Sequence, residues 1–196
     1  LHTTPSPALL KAMLINGARL TTGYNRFAIT NAINYEGWGL VNVPNSVPLG
    51  TTNGMATESP MFIQDQNPTN ALATGDSRTY TVTVPSTSQN NLMRFTLAWT
   101  DPPGNPAAGL KLVNNLDLIV TNLDTGAVYY GNNFDFASTP YSPPVDSNSV
   151  PDNVNNVENI WLTAPQSTNY SVPVVGRNVT VNAVTLDQTN IAQDFA

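Results

Sequence analysis

Seven acids crowd one stretch of this chain. Asp101, Asp117, Asp124, Asp135, Asp146, Asp152 and Glu158 lie between residues 101 and 158, and Lys111 is the only base among them. That excess matches the net charge of the whole chain, −6, so the remainder is neutral. The same stretch carries Asn114, Asn115, Asn132, Asn133, Asn153, Asn155 and Asn156. Carboxylates, amide oxygens and loop carbonyls are the ligands of Ca²⁺, which takes six to eight oxygens in flexible geometry. No EF-hand loop is present, so such a site would be assembled from separate turns. The expected ligands are Asp101, Asp117, Asp152, Asn156 and Glu158, with Asn115 and Asp135 as secondary candidates. The competing reading is local turn chemistry. Asp101-Pro102-Pro103-Gly104 and Asp124-Thr125-Gly126 make turns unaided, and Asp124 and Asp146 are read that way. Asp117 and Glu158 interrupt apolar strand patterns, where an acid is costly unless it faces solvent or a cation.

Other chemistries are poorly supplied. There is no Cys, which excludes disulfides, thiolate metal sites and a Cys nucleophile. His2 is the single histidine, and as a terminal residue it has no partner to fix it as a catalytic base. No catalytic residue is assigned. The acidic balance argues against a nucleic-acid partner. No apolar run is long enough to span a membrane. Residues 1–5 carry no leader pattern, so any secretory signal is expected upstream or removed. Few Lys and much Asn, Thr, Ser and Pro suit an extracellular protein.

The 196 residues fit one domain, or one domain plus a piece of another. Ser6 to Gly17 predicts a helix: Ser6 as cap, Pro7 at the first position, and Gly17 ending it in the left-handed conformation. Leu9, Leu10, Met13, Leu14 and Ile15 cover more than one stripe, so this helix is expected to be buried on most sides. Gly37-Trp38-Gly39 suggests a close backbone approach before a strand at 39–43. Residues 44–76 read as a linker. From residue 77 the pattern is β. Strands are expected at Ser77–Val84, Leu92–Trp99, around Leu116–Val120, at Ala127–Tyr130, Val157–Leu162, around Tyr170–Val174, at Asn178–Val184 and at Gln193–Ala196, the last stopping early. Short strands with polar turns indicate an antiparallel sandwich, a jelly roll first and an immunoglobulin-like sandwich second. The stretch 131–155 is a long loop of the kind that is functional or tied by an ion. Trp38, Trp99, Trp161, Tyr80, Phe95 and Tyr170 read as core. Tyr129, Tyr130, Phe134, Phe136 and Tyr141 lie near the long loop, where a sugar-stacking platform is the alternative to packing.

Ser6-Pro7-Ala8-Leu9-Leu10-Lys11-Ala12-Met13-Leu14-Ile15-Asn16-Gly17-Ala18, followed by Gly37-Trp38-Gly39-Leu40-Val41-Asn42, resembles the last helix and closing strand of a subtilisin-like serine protease domain. Leu97-Ala98-Trp99-Thr100-Asp101, Leu112-Val113-Asn114-Asn115-Leu116-Asp117-Leu118, Asn155-Asn156-Val157-Glu158-Asn159, Ala164-Pro165-Gln166-Ser167 and Gln193-Asp194-Phe195-Ala196 resemble, in order, the β-domain of alkaline subtilases with a C-terminal jelly roll. The resemblance covers nearly the whole chain. It implies that residues 1–43 end a catalytic domain, that 44–76 link it to a jelly-roll sandwich at 77–196, and that this sandwich binds Ca²⁺. The family's Asp, His and G-T-S-M-A nucleophile motif precede the helix and are absent here. Gly54-Met55-Ala56 mimics that motif but has Gly54 in the serine position and lies after the helix.

Two classes of function follow. One is the C-terminal portion of a secreted serine endopeptidase, whose partner is the upstream catalytic segment and whose substrates are proteins. The other is a non-catalytic β-sandwich that binds carbohydrate or protein; a structural subunit reusing a protease remnant is a third. The helix at 6–17 discriminates, since a free-standing module has no use for so many apolar residues on one helix.

Overall fold

The computed structural model describes residues 4–19, 37–47, 61–135, 141–185 and 189–196. The chain folds as a mainly β, antiparallel sandwich carrying one helix of three turns. Helix α1 (Pro7–Gly17) starts as expected: the Ser6 hydroxyl accepts the Leu9 amide at 3.0 Å, and proline occupies the first turn. Its end differs. Gly17 is not left-handed; it is still helical, and Ala18 follows in an extended conformation. Glycine is needed here for space instead, because a Cβ would fall onto the backbone and side chain of Ser46. Ser46 ends the single turn α2 (Val43–Ser46), so the strand expected at 39–43 is replaced by one bridge, Leu40 to Arg19, followed by that turn. Gly37 and Gly39 both have positive φ, in keeping with a tight approach around Trp38.

Strands β1 (Ser77–Thr83), β6 (Asn169–Asn178), β3 (Asn115–Asn122) and β4 (Val128–Tyr130) form one sheet in that spatial order. Strands β2 (Met93–Ala98) and β5 (Val157–Leu162) form the other. Alternation dictates the faces. Leu116, Leu118 and Val120 of β3 and Tyr170, Val172 and Val174 of β6 meet Phe95, Leu97, Ile160 and Leu162 of the facing sheet in one core. Phe95 and Tyr170 are 5.9 Å apart between ring centroids. The ladder between β3 and β6 skips Ile119 and Val120, opposite Pro173, which has no amide to donate.

Two expected strands are missing. Residues 179–185 form turns held by the Asn182 side chain and not a strand. Gln193–Ala196 makes two isolated contacts, Gln193 with Leu72 and Ala196 with Ala98. The supposed linker is partly structure, since Leu72 is fully buried in the core. Among the described residues six strands form, where an eight-stranded jelly roll needs two more. His2 and Gly54-Met55-Ala56 lie outside the described residues.

The sheet β2–β5 is covered on its other face by the N-terminal elements. Ala8 and Ala12 of α1 are buried, and Ala12 packs with Ala98 and Val157 in a second cluster. Trp38 meets Trp161 and Phe134, each at 6.2 Å. Arg94 reaches from β2 to the carbonyls of Asn16 and Ala18, and Lys11 donates to Asn156 at 2.9 Å. A Gly17→Ala substitution should therefore cost about 1–3 kcal/mol by forcing α1 away from α2, measured as a drop in the midpoint of urea unfolding at unchanged slope.

Candidate functional site

The site grows from two strands that each place an acid where solvent cannot reach. Asp117 on β3 and Glu158 on β5 are each only 1% exposed. Glu158 points at the facing sheet and accepts the Leu118 amide at 2.6 Å, joining the two sheets at their rim. Asp117 is paired with Arg177 of β6, which is adjacent because β6 runs antiparallel to β3: Nε and Nη2 lie 2.6 and 2.5 Å from Oδ2. Gly131 lies against Glu158 so closely that any Cβ would overlap the carboxyl group.

Asn132 follows with a positive φ of 57° and ties the long loop to this rim. It donates to Asp152 at 2.5 Å and to the Val157 carbonyl at 2.8 Å, and its oxygen accepts the Asn159 amide. Asp152 also accepts the Asn155 side chain and the Val154 and Asn155 amides. The acids feel one another. Burial, first of all, pushes Glu158 well above the usual carboxyl range; the Leu118 amide opposes this, and Asp117 and Asp152 add to it. Burial likewise raises Asp117, against the pull of Arg177.

Three oxygens here are buried and have no hydrogen-bond partner among the described residues: Asp117 Oδ1, Glu158 Oε1 and Asn115 Oδ1. Asn115 stands two residues before Asp117 on the same strand, across an irregularity in its ladder with β6. All three are acceptors, and a cation or a donor water is what such a set takes. No group of three acidic or histidine side chains among the described residues converges to hold a metal. A cation here would therefore rest on Asp117 and Glu158 together with neutral oxygens.

Asp101 and Asn156, also expected as ligands, have protein partners of their own. Asp101 accepts the Val113 and Asn114 amides at 2.9 and 2.8 Å, a turn clamp. Asn156 links Lys11 to the Trp99 carbonyl. The Asp135 amide donates to the Tyr141 carbonyl at the loop's return. Asp146 serves a turn, as its sequence context suggests, taking Asn148 and Ser149; the Asp124 carboxylate instead reaches across to the Thr168 amide, and the turn at 122–125 is held by the Asn122 side chain. Sequence reasoning missed Arg177, which lies outside the acidic stretch. It also missed Asn114 and Gln193. These two are fully buried and bonded to each other at 2.9 Å, and they serve Val181 and Thr100. Two residues of the expected aromatic platform pack instead: Phe134 turns inward onto Trp161 at 5.2 Å and Tyr129 packs on the core, while Phe136 lies outside the described residues.

No family model matches the chain. Three Dictyostelium discoideum proteins named serine protease/ABC transporter B family protein, tagB, tagA and tagD, are similar to it at 30%, 31% and 30% identity. The similarity covers 90%, 90% and 81% of this chain but only 11%, 9% and 10% of those proteins. The chain is thus similar to a serine protease-related region and spans about a tenth of the length of these relatives. No helix of the described residues is long and apolar enough to cross a membrane.

A carboxyl whose folded pKa lies above its unfolded value stabilises the fold while protonated. That contribution is lost as pH rises from the unfolded value through the folded one. In metal-free buffer, Glu158→Gln keeps the acceptor for Leu118 and removes this loss. The melting temperature of the variant minus that of the native chain should therefore grow as pH rises above the ordinary carboxyl range; a difference that stays constant with pH would show that Glu158 does not carry this loss.

Proposed function

We propose that this chain is the C-terminal portion of a secreted subtilisin-like serine endopeptidase, with residues 1–43 ending the catalytic domain and a jelly-roll-type sandwich following it. The observation that carries this reading is the orientation of α1. Its small residues, Ala8 and Ala12, face the sandwich, whereas Leu10 and Leu14 stand 49% and 43% exposed on the opposite side. Leu40, Val41 and Val43, which follow Trp38, are exposed as well. Leaving one large apolar side chain wet forfeits roughly 1.5–3 kcal/mol relative to burying it. A helix with two apolar sides is made for two partners, and the sandwich is only one. The names of the similar Dictyostelium proteins and the subtilase-like order of the motifs make a protease core the other. On this reading the Asp, His and Ser of the triad, with the oxyanion-hole donors, lie on that core. The chain itself completes its hydrophobic interior and braces it.

The test uses the native protein. A serine-directed fluorophosphonate should label a polypeptide that contains this sequence or stays bound to it until denaturation. Leu10→Ser with Leu14→Ser should leave the melt of the isolated chain within about 1 kcal/mol of native, since both residues are half-wet already, and should abolish that association. A lone 21 kDa species without a labelled companion would overturn the reading.

The same reading includes Ca²⁺. Asp117 and Glu158 would hold the ion with the Asn115 oxygen, and the charge it supplies would offset two carboxylates kept from water. Saturating Ca²⁺ should raise the stability of the native chain by about 3 kcal/mol at a hundredfold excess over the dissociation constant, and EDTA should reverse this. Asp117→Asn should lose most of the effect, whereas Asp101→Asn should retain it.

A further inference from the structure

Strand β5 has β2 on one side, and its other edge is closed by something that is not a strand. Trp99 donates to the Asn156 carbonyl, and Leu97, Phe95 and Met93 stand opposite Glu158, Ile160 and Leu162. The even-numbered residues of β5 thus turn their amides and carbonyls to β2. The odd-numbered ones, Val157, Asn159 and Trp161, turn theirs to the opposite edge.

Two residues of the long loop meet those groups. The Asn132 amide donates to the Asn159 carbonyl at 2.8 Å, while its side-chain oxygen accepts the Asn159 amide at 3.0 Å. The Asn132 Nδ2 group donates to the next outward carbonyl, that of Val157, at 2.8 Å. Ser142 repeats the pattern on Trp161: its amide donates to the Trp161 carbonyl at 2.9 Å, and its hydroxyl oxygen accepts the Trp161 amide at 3.1 Å. Each loop residue pairs as a strand residue would, with a side-chain oxygen in place of a backbone carbonyl. Asn132 does so from a φ of 57°, a conformation that Asn tolerates. Three residues after Ser142, the Val145 amide donates to the Val128 carbonyl of β4 at 2.8 Å, so this stretch steps from one sheet to the other.

The exchange of a strand for side chains has a physical consequence. A covering strand would carry its own unpaired edge outward and move the problem one strand along. A side-chain oxygen satisfies the amide and ends the ladder. The need is written in β5 itself. Val157-Glu158-Asn159-Ile160-Trp161-Leu162 holds no Lys, Arg or Pro, and all six residues are buried. Such a segment pairs readily with another copy of itself when its edge is open.

We propose that residues 131–135 and 141–145 form an edge guard, in which Asn132 and Ser142 terminate the smaller sheet with side-chain oxygens and keep β5 from adding a strand of a second copy of this chain. The guard stands apart from the protease reading and from any bound ion, because Ser142 makes its contacts with the β5 backbone alone.

The parity of the strand gives the test. Asn132→Gly keeps the left-handed backbone and the amide and removes the side chain; Ser142→Ala keeps the amide and removes the hydroxyl. At low protein concentration the double variant should exchange the Asn159 and Trp161 amide hydrogens at least about tenfold faster than the native chain. The Ile160 amide, which faces β2, should exchange at the native rate. At high concentration sedimentation should show association beyond that of the native chain, and the two amides should regain protection. Val179→Ala thins the core and leaves both guard residues in place, so it should show neither effect. Ser142→Thr retains the oxygen and should match the native chain. If the double variant does not fold, Ser142→Ala alone gives the same reading at Trp161 against Ile160. Unchanged exchange at the odd-numbered amides would overturn the proposal. So would equal association of the Val179→Ala chain, or a double variant that does not associate at any concentration.

Discussion

Strand β5 has no wet residue. All six positions from Val157 to Leu162 are buried, three against the sandwich core and three against what lies outside it. A two-stranded sheet whose second face must also be dry cannot stand as the surface of a sandwich. It needs a cover, and the cover is α1 together with Trp38. The small side chains of Ala8 and Ala12 let the helix approach, and Trp161, Phe134 and Trp38 fill the space beside it. Most other features of the N-terminal region follow from that demand. Arg94 ties the end of the helix to β2, Lys11 gives up part of its hydration to reach Asn156, and Gly17 clears room for Ser46. The same demand ties residues 4–19 and 37–47 to the β-domain.

The second cost of burying β5 is Glu158. A carboxylate inside the sandwich is tolerated only with compensation. The compensation visible is one backbone amide and, more weakly, the charge of Arg177, while Asp117 and Asp152 work against it. Arg177 repays Asp117 but stands half in water, so it neutralises one acid of the group incompletely. An oxygen-rich rim with more acids than bases and three buried acceptors without donors stays dry only if something positive joins it or a proton stays on it. Those two solutions depend oppositely on pH, since a bound cation needs the carboxylates ionised and a retained proton needs them neutral. The long loop is anchored to this rim through Asn132 and Asp152. Whatever neutralises the acids therefore also steadies the loop.

Much of this architecture was legible in the sequence because the β periodicity is unambiguous where one face is buried. The strands around Tyr80, Phe95, Leu118, Ile160 and Val172 read correctly for that reason. Residues 179–185 did not, since Asn178-Val179-Thr180-Val181 alternates like a strand while Asn114 and Asn182 claim its backbone with side-chain bonds. Propensity cannot foresee such competition. The site was legible by half. An acid inside an apolar strand pattern marks Asp117 and Glu158 without any structure. Their assembly depends on pairing: Arg177 lies next to Asp117 only because β6 is laid against β3, and counting charges along the chain assigned it to the neutral remainder. Asp101 and Asn156 looked equally good as ligands because clamping a turn and binding a cation use the same oxygens.

The wet side of α1 follows from one asymmetry in its packing. The chain spends its small residues on contacts already made, Ala8, Ala12 and Ala98, and leaves the large Leu10 and Leu14 facing outward. Close backbone approach needs small side chains on both elements, so the alanine seam fixes how α1 sits and thereby fixes which residues it turns outward. The helix cannot rotate to bury Leu10 and Leu14 without lifting Ala12 from Ala98 and stranding Trp38. An apolar face held outward by a seam this tight is not a frayed end waiting to collapse. It is a surface kept in position, and its geometry is set by the strand pair beneath it before any partner arrives.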